Sequence, residues 1–470
     1  MYKFNSIFSI FFSIIPGMAQ VSPGNCDFIE GVEEISEIEC GKLSVPEDHE
    51  APEGKKISVA YIILKAKQDV NKEPVILLGG GPGAEMISAG TVKYLLQDPL
   101  RNNRDIIIYE QRGIGHSSGL PDISSEMNEI MAADLTEKEE KEEMKKLIIS
   151  AGEMAREKNV DLSKYNTWQN AHDVGSLMKS LPYPKYNLFG VSYGTRLGRK
   201  VQDLYPQYLN AVIHNSPALA TGDFLIDRLH NFSNSLEKVL ANCENDPDCS
   251  KQYPDLRETY FKAIGKLKTQ PIQLQVKGVP YYVNAQDAIY YLRRELYGSE
   301  ALKNAPALIA ELNTGGGPIL ENVILHELGG SFNNLMWLAV ERNEMYNSEN
   351  TEEKILQVYQ SLSLLPAELG QFTAAYLALR DLHNSSLPEE KMAFQISEVP
   401  TMIMVNQYDP ITPPENGYVF KEKIPGAFLY VLEEGGHGGG NEECRTRVMT
   451  AFMDDPLIAP DTSCMKLVKK

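Results

Sequence analysis

The sequence predicts an α/β fold with a mostly parallel central sheet, flanking helices and a large helical insertion. Short runs of branched apolar residues alternate with helical patterns, and one long helical interval interrupts this rhythm. Some runs, such as 105–110 and 400–405, are almost continuously apolar, which is typical of parallel strands covered on both faces. The strand candidates are residues 57–66, 74–79, 105–110, 186–191, 211–216, 400–405 and 427–432.

The domain organisation follows from the long interval between the strand candidates 211–216 and 400–405. Residues 220–399 are mostly helical in pattern and contain no convincing series of buried strands. We therefore predict a sheet domain made of residues 20–219 and 400–470, covered by a helical cap of residues 220–399. A charged stretch, 135–158, is predicted to be a helix with a solvated face.

Composition limits the possible partners. The chain has 470 residues with 43% hydrophobic content, enough for a sizeable core, and its formal net charge is -19. This charge should repel nucleic acid and anionic membranes, and no basic cluster with interleaved aromatic residues argues otherwise. We expect no nucleic-acid partner, and the sequence assigns no oligomeric state.

The N-terminus is typical of a secretory signal peptide spanning residues 1–19. Lys3 precedes an apolar run over 7–18, and Ala19 provides a small residue at the cleavage position. The alternative is a membrane anchor, but the run is too short to span a bilayer and contains Pro16. Once the signal is removed we expect no membrane span, and we expect a secreted or periplasmic protein.

Six cysteines fit an exported chain. An even number favours disulfides in an oxidising compartment, and the pairs that sequence proximity favours are Cys26 with Cys40, Cys243 with Cys249, and Cys444 with Cys464. A metal site is not supported, because no C-x-x-C occurs and no His lies at ligand spacing from a Cys pair. No cofactor is expected.

The strongest chemical motif is Gly190-x-Ser192-x-Gly194. It lies between an apolar strand candidate and a helical stretch, the strand–turn–helix context of a nucleophile elbow. Glycines are needed there because the turn is sharp and the helix packs closely against the strand. The alternative is a structural turn in which Ser192 is merely a small residue.

A nucleophilic serine needs a base and an orienting acid. His437 lies in the glycine-rich stretch EEGGHGGG after the last strand candidate, and Asp409 follows the run 400–405 directly. Either residue alone has an ordinary structural explanation. Together, the order Ser192, Asp409, His437, each at the end of a separate strand, is the order of the α/β-hydrolase triad.

Acyl transfer also needs N–H donors for an oxyanion. One is predicted to be the backbone N–H of Tyr193, the residue after the nucleophile. The second is expected in the glycine-rich stretch after run 74–79, and we assign it to Gly81. A phosphate-binding loop is the rival interpretation, but the Lys and Ser/Thr that such a loop requires are missing.

This set of motifs resembles the α/β-hydrolase serine exopeptidases, which include proline iminopeptidases and secreted tripeptidyl aminopeptidases. The stretches that carry the resemblance are IECGKLSVPEDHE, GGPG, YEQRGIGHS, GVSYGTRLG, YDPITP and GGHG. The resemblance implies an α/β-hydrolase fold with a helical cap and peptide substrates. The chain departs from the family pattern at Gly79, where proline iminopeptidases usually have His, and at Arg342, where the secreted branch often has Cys.

The resemblance further implies cap carboxylates that bind the substrate's free α-ammonium. Glu344 is the first candidate by motif position and Glu341 the second. The alternative is that both lie on a solvated helix end. The sequence thus predicts an exported serine aminopeptidase; the alternatives are a carboxylic-ester hydrolase with the same triad, and a non-catalytic binding protein on this scaffold.

Overall fold

The computed structural model describes residues 20–24, 26, 29, 31, 32, 35–68 and 72–468. The predicted signal peptide, residues 1–19, lies outside the described residues. The strands are β1 Gln20–Gly24, β2 Ile38–Pro46, β3 Lys56–Leu64, β4 Val75–Leu78, β5 Ile106–Tyr109, β6 Tyr186–Val191, β7 Leu209–Asn215, β8 Ile272–Val276, β9 Val279–Val283, β10 Thr401–Asn406 and β11 Phe428–Leu432.

Helices flank the sheet and fill the long interval between β7 and β10. They are α1 Ala89–Leu96, α2 Ser124–Ala132, α3 Glu137–Glu157, α4 Thr167–Ser180, α5 Tyr193–Leu204, α6 Phe224–Asn245, α7 Pro247–Gln252, α8 Leu256–Leu267, α9 Ala285–Glu295, α10 Ala301–Thr314, α11 Pro318–Gly329, α12 Asn334–Glu344, α13 Glu352–Ser361, α14 Gly370–Leu382, α15 Glu389–Met392, α16 Pro414–Lys423 and α17 Glu442–Asp454.

Within the described residues, nine strands form one sheet in the order β1-β2-β3-β5-β4-β6-β7-β10-β11. The pairs β1–β2, β2–β3 and β3–β5 are antiparallel. The remaining pairs of this sheet, β5–β4, β4–β6, β6–β7, β7–β10 and β10–β11, are parallel. Every residue of β4 and β5 is buried, because helices cover both faces at the centre of the sheet. The predicted α/β fold with a mostly parallel sheet is confirmed, and all seven strand candidates are strands.

Four strands, β1, β2, β8 and β9, were not among the candidates. Strand β2 alternates buried and exposed positions, and β8 and β9 form a separate antiparallel hairpin within the interval expected to be helical. A search for continuous apolar runs misses such half-exposed strands. The hairpin has a two-residue turn, Lys277 and Gly278, in which both residues have positive φ. The glycine of this turn was a local signal for the hairpin in the sequence.

The elements α6 to α15, together with β8 and β9, form what we call the helical segment. It lies between β7 and β10 in the chain, where the cap was expected. The charged helix α3 is solvated on one face, but its other face packs on α14, with Arg156 donating to the carbonyl of Leu382 over 3.3 Å. The domain boundaries remain a prediction.

The three predicted disulfides form in the structure. Cys26–Cys40, Cys243–Cys249 and Cys444–Cys464 have Cα separations of 5.3, 5.1 and 5.8 Å. They tie the N-terminal segment to β2, the end of α6 to α7, and α17 to the C-terminal segment. In the part of the chain that the structure describes, no helix is both long and apolar enough to cross a bilayer.

Parallel pairing brings several loops to one edge of the sheet. Strands β4, β6, β10 and β11 run in the same direction, so their carboxyl ends meet at one edge. In open α/β sheets this edge is where ligands bind. The glycine stretch 79–83, Ser192, Asp409 and His437 follow these four strands.

Candidate active site

Ser192 lies on a tight turn between β6 and α5. Its φ is 56° and its ψ is −125°, a conformation that residues other than glycine rarely adopt. The flanking glycines are required by contact: a Cβ on Gly190 would lie 2.4 Å from the Gly194 carbonyl oxygen, and one on Gly194 would lie 2.0 Å from that of Leu78. The turn therefore has the strand–turn–helix geometry of a nucleophile elbow.

The predicted acid and base are hydrogen-bonded to each other. His437 Nδ1 lies 2.9 Å from Asp409 Oδ2 and 3.1 Å from Oδ1. Asp409 Oδ1 also accepts the backbone N–H groups of Ile411 and Thr412, both at 2.8 Å, and Oδ2 accepts the Thr412 hydroxyl at 2.8 Å. These bonds hold the carboxylate in one orientation against the imidazole.

The charge of Asp409 is maintained despite full burial. Burial alone would raise the pKa of Asp409, but His437 and the hydrogen bonds from residues 411 and 412 outweigh it and lower the pKa below its usual value. The carboxylate is therefore ionised at neutral pH, as needed to stabilise an imidazolium.

The loop around His437 owes its glycines to close packing as well as to its turns. Gly435, Gly438 and Gly440 have positive φ, but a Cβ on Gly436 would lie 1.7 Å from the carbonyl oxygen of Leu296 at the end of α9. The Tyr297 ring lies beside the His437 ring at a tilt of 56°, with centroids 5.1 Å apart. The helical segment thus packs directly against the loop that carries the predicted base.

Ser192 and His437 line the same cavity, yet among the described residues no hydrogen bond joins the Ser192 hydroxyl to the imidazole. In enzymes without substrate, such a bond is often long and shortens in the substrate complex.

The glycine stretch that is predicted to supply one oxyanion donor passes beside Ser192. Gly80 approaches so closely that a Cβ there would lie 3.3 Å from the serine Cβ, and Gly81 lines both cavities that reach Ser192. Gln111 holds this loop by donating to the carbonyl oxygens of Gly79 and Gly80, at 3.2 and 3.4 Å. Tyr193 is the first residue of α5, where backbone N–H groups have no partner within the helix.

Two cavities meet at Ser192. The first, which we call the acidic cavity, has a volume of about 710 Å³. Its lining includes the carboxylates of Asp227, Glu237, Glu341, Asp409 and Glu415 and the cations Arg196, Arg228 and Lys238.

The second, which we call the tyrosine cavity, has a volume of about 490 Å³ and lies on the His437 side. Its lining includes Tyr281, Tyr290, Tyr291 and Tyr297 with Arg228, Arg293, Arg294 and Glu327.

The two predicted amine-binding carboxylates have different environments. The Glu344 side chain is fully buried and bound: it accepts from the Thr167 N–H at 2.5 Å, the Thr167 hydroxyl at 2.8 Å and Arg196 at 3.0 Å. It does not line either cavity. Burial raises the pKa of Glu344, an effect that Arg196 and Thr167 oppose.

Glu341 lines the acidic cavity and is incompletely paired. Trp337 Nε1 donates to its Oε1 at 3.2 Å, and Arg228 and Arg196 lie 3.5 and 3.9 Å from its oxygens. Its Oε2 is buried and accepts no hydrogen bond from the described residues. Of the two candidates, only Glu341 lines a cavity that contains Ser192, and neither lies on a solvated helix end.

Comparison with known proteins agrees with this geometry. A family model described as the α/β hydrolase fold matches residues 73–277, and a second, described as a TAP-like protein, matches residues 382–464. The serine protease Hip1 of Mycobacterium tuberculosis is 23% identical over 427 residues, covering 83% of this chain and 80% of that protein. The two family models and these relatives support an α/β-hydrolase serine peptidase family for this chain.

Another relative matches over a shorter stretch. The tripeptidyl aminopeptidase of Streptomyces coelicolor is 28% identical over 188 residues, which is 38% of this chain and 35% of that protein. The match thus spans about a third of the Streptomyces protein. Among solved structures, an esterase from Exiguobacterium antarcticum is 14% identical over 85% of this chain and 96% of that one, with a TM-score of 0.38.

Several residues of this serine hydrolase site were not found from the sequence. Thr412, which binds both Asp409 and His437 Nδ1, follows the predicted acid in DPIT and could have been proposed as its partner. Arg228 and Arg293 carry no motif, because their positions depend on how the helical segment packs.

Proposed function

We propose that the protein is an exported serine aminopeptidase that cleaves residues or short peptides from free peptide N-termini. The Ser192 hydroxyl attacks the scissile carbonyl carbon, while His437 takes its proton and passes it to the leaving nitrogen. Asp409 orients His437 and stabilises the imidazolium. The N–H groups of Gly81 and Tyr193 hold the oxyanion, and water activated by His437 then hydrolyses the acyl-enzyme.

The observation that supports an aminopeptidase most directly is the state of Glu341. Its carboxylate is buried, lines the cavity that contains Ser192, and has an oxygen without a hydrogen-bond partner. A buried charged acceptor left unpaired is costly, and an ammonium group is a partner that would satisfy it. Asp227 lines the same cavity and adds a second negative charge for a cation.

The neighbouring cations leave Glu341 Oε2 without a hydrogen bond. Arg196 is held by Glu344 at 3.0 Å, and Arg228 lies over the rings of Phe224, Trp337 and Phe372 while keeping only a 3.5 Å contact with Glu341. Each arginine is therefore placed by another group, and Glu341 keeps acceptor capacity for substrate.

Export is supported by the covalent structure. Three disulfides without a free cysteine among the described residues are typical of proteins that fold in an oxidising compartment.

The test compares a free amine with a blocked one. Alanine peptide p-nitroanilides of one to three residues, each with a free or an acetylated N-terminus, are given to the wild-type protein and to Glu341→Gln. We expect the wild type to cleave a free-amine substrate, and Glu341→Gln to lose about 10- to 100-fold in kcat/KM on it, because a charge-assisted hydrogen bond is removed.

The matched control is Glu237→Gln. Glu237 lines the same cavity, but Arg257 binds it on the protein surface, at 2.7 and 2.8 Å, so its loss should change little. Equal cleavage of blocked and free peptides by the wild type would contradict the aminopeptidase proposal. Hydrolysis of p-nitrophenyl acetate without cleavage of any peptide would instead favour a carboxylic-ester hydrolase.

A further inference from the structure

The tyrosine cavity contains more positive charge than its own carboxylate can neutralise. Arg228, Arg293 and Arg294 line it, and Glu327 is the only carboxylate among its described lining residues. Glu327 is already engaged, since it accepts from Arg294 at 2.6 Å and from the Tyr290 hydroxyl at 2.5 Å. In a chain of net charge -19, an excess of arginine at this cavity is a local reversal of sign.

Arg293 is the cation without a counterion. It is 1% exposed, its Nε has no hydrogen-bond partner, and among the described residues no carboxylate pairs with it. Its guanidinium lies over the rings of Phe372 and Tyr297, at 4.9 and 5.5 Å from their centroids. Burial, with the like charges of Arg228 and Arg294, lowers the pKa of Arg293 to about 10, so it remains protonated at neutral pH.

An unpaired buried charge of this kind is costly to the folded protein. Removing one partner of a buried ion pair destabilises a protein because it leaves the other charge uncompensated. Arg293 is such an uncompensated buried charge, and its side chain lines a cavity instead of lying within the packed core. An anion entering the cavity would supply the missing partner.

The position of His437 determines which part of a substrate reaches this cavity. His437 lines the tyrosine cavity and not the acidic cavity, whereas Ser192 lines both. The leaving nitrogen must contact His437 to receive its proton. The leaving group, which is the part of the peptide on the C-terminal side of the scissile bond, therefore occupies the tyrosine cavity. We call this the released side; Glu341 lies in the other, acidic cavity.

We propose that the tyrosine cavity binds a carboxylate on the released side of the scissile bond, with the Arg293 guanidinium as its ligand. This rests on the proposed aminopeptidase function. The carboxylate is either the C-terminus of a short peptide or the side chain of an Asp or Glu that follows the bond. With an ammonium at Glu341, a C-terminal carboxylate at Arg293 would make the site complementary to a short zwitterionic peptide.

Two peptide series distinguish these sources. The first contains alanine peptides of two to five residues, each as the free acid and as the C-terminal amide. The second contains amidated peptides of the same lengths with Asp or Asn at one position. We expect the wild type to prefer the charged member of one series by about 10- to 100-fold in kcat/KM. The series that shows the preference identifies the source of the carboxylate.

Variants of Arg293 test the assignment. Arg293→Met should abolish the preference, and Arg293→Lys should restore part of it, because a point charge replaces a planar fork. Arg257→Met is the matched control, since Arg257 pairs with Glu237 and Glu244 and lines neither cavity. Arg293→Met should melt at no lower temperature than the wild type, because it removes a buried unpaired charge. If Arg293 instead stabilised the fold, its replacement would lower the melting temperature.

A binding measurement separates this proposal from the proposed function. Calorimetry with full-length Ser192→Ala should show the same preference for the charged peptide, whether or not the wild type cleaves it. Equal affinity for acid and amide members in both series, or a preference unchanged by Arg293→Met, would overturn the carboxylate site. Failure of the wild type to cleave peptides, with the binding preference intact, would overturn only the aminopeptidase activity.

Discussion

At the carboxyl edge of the sheet, Ser192, Asp409 and His437 follow strands that hydrogen bonds hold in fixed register. In the helical segment, Glu341 and Arg293 lie on α12 and α9, which are positioned by packing and by individual hydrogen bonds, such as that of Asn343 to the Tyr165 carbonyl, rather than by a strand ladder. Both carboxylate oxygens of Asp409 accept hydrogen bonds, whereas Glu341 Oε2 and Arg293 Nε have no hydrogen-bond partner among the described residues. The difference suggests that the sheet edge carries the reaction and the helical segment selects the substrate.

The largest effect is expected at the sheet edge. Ser192→Ala should reduce kcat by about 10⁴- to 10⁶-fold on peptides and esters alike, because the attacking oxygen is lost. A fluorophosphonate probe should label the wild type at Ser192 and leave the variant unlabelled. If the probe labelled another serine and Ser192→Ala were as active as the wild type, the elbow would be only a structural turn.

Asp409→Asn should follow closely. The amide cannot stabilise the imidazolium and favours the wrong tautomer of His437, so we expect a loss of about 10⁴-fold in kcat. Steady-state kinetics on one peptide and one small ester checks this. Both substrates should be affected equally, in contrast to Glu341→Gln, which should act on peptides selectively; a selective effect of Asp409→Asn would remove the distinction between the two regions.

The two carboxylates of α12 should separate stability from substrate binding. Glu344→Gln leaves the buried Arg196 short of its 3.0 Å partner and should lower the free energy of unfolding by about 3 kcal/mol. Glu341→Gln should cost less, because its contacts with arginine are 3.5 Å or longer. Urea denaturation of both variants checks the order, and equal losses would contradict it.

The sheet edge could be predicted from sequence because its signals are local. Each triad residue follows an apolar run within a few residues, and Gly190 is required by a contact made within the same turn, with the Gly194 carbonyl. The contact that requires Gly194 is with Leu78 of β4, so it is not local. The roles of Glu341 and Glu344 could not be separated, because they are three residues apart and differ in contacts with residues far away in the chain, such as Arg196, which lies 3.9 Å from the first and 3.0 Å from the second. Likewise Arg293 and Arg294 are adjacent, and only the position of Glu327 decides which one is paired.

The smallest effect is expected where α3 packs on the helical segment. Glu140 of α3 accepts from Asn284 at 2.8 Å, and burial raises the pKa of Glu140 to about 7; burial and the nearby Glu140 also raise that of Asp287. Between pH 4.5, the ordinary value for Glu, and pH 7, the folded protein therefore binds more protons than the unfolded chain. Stability must then fall as the pH rises through this window.

Glu140→Gln removes the charge that has to be buried above pH 7. We expect the variant to be more stable than the wild type by about 1 kcal/mol at pH 8, and the gain to shrink at pH 5, where Glu140 is already protonated. Urea denaturation at both values measures it. Glu142→Gln, an exposed change on the same helix, should show neither effect. A gain that is the same at pH 5 and pH 8 would mean that α3 meets the helical segment through packing alone, without a titrating carboxylate at the contact.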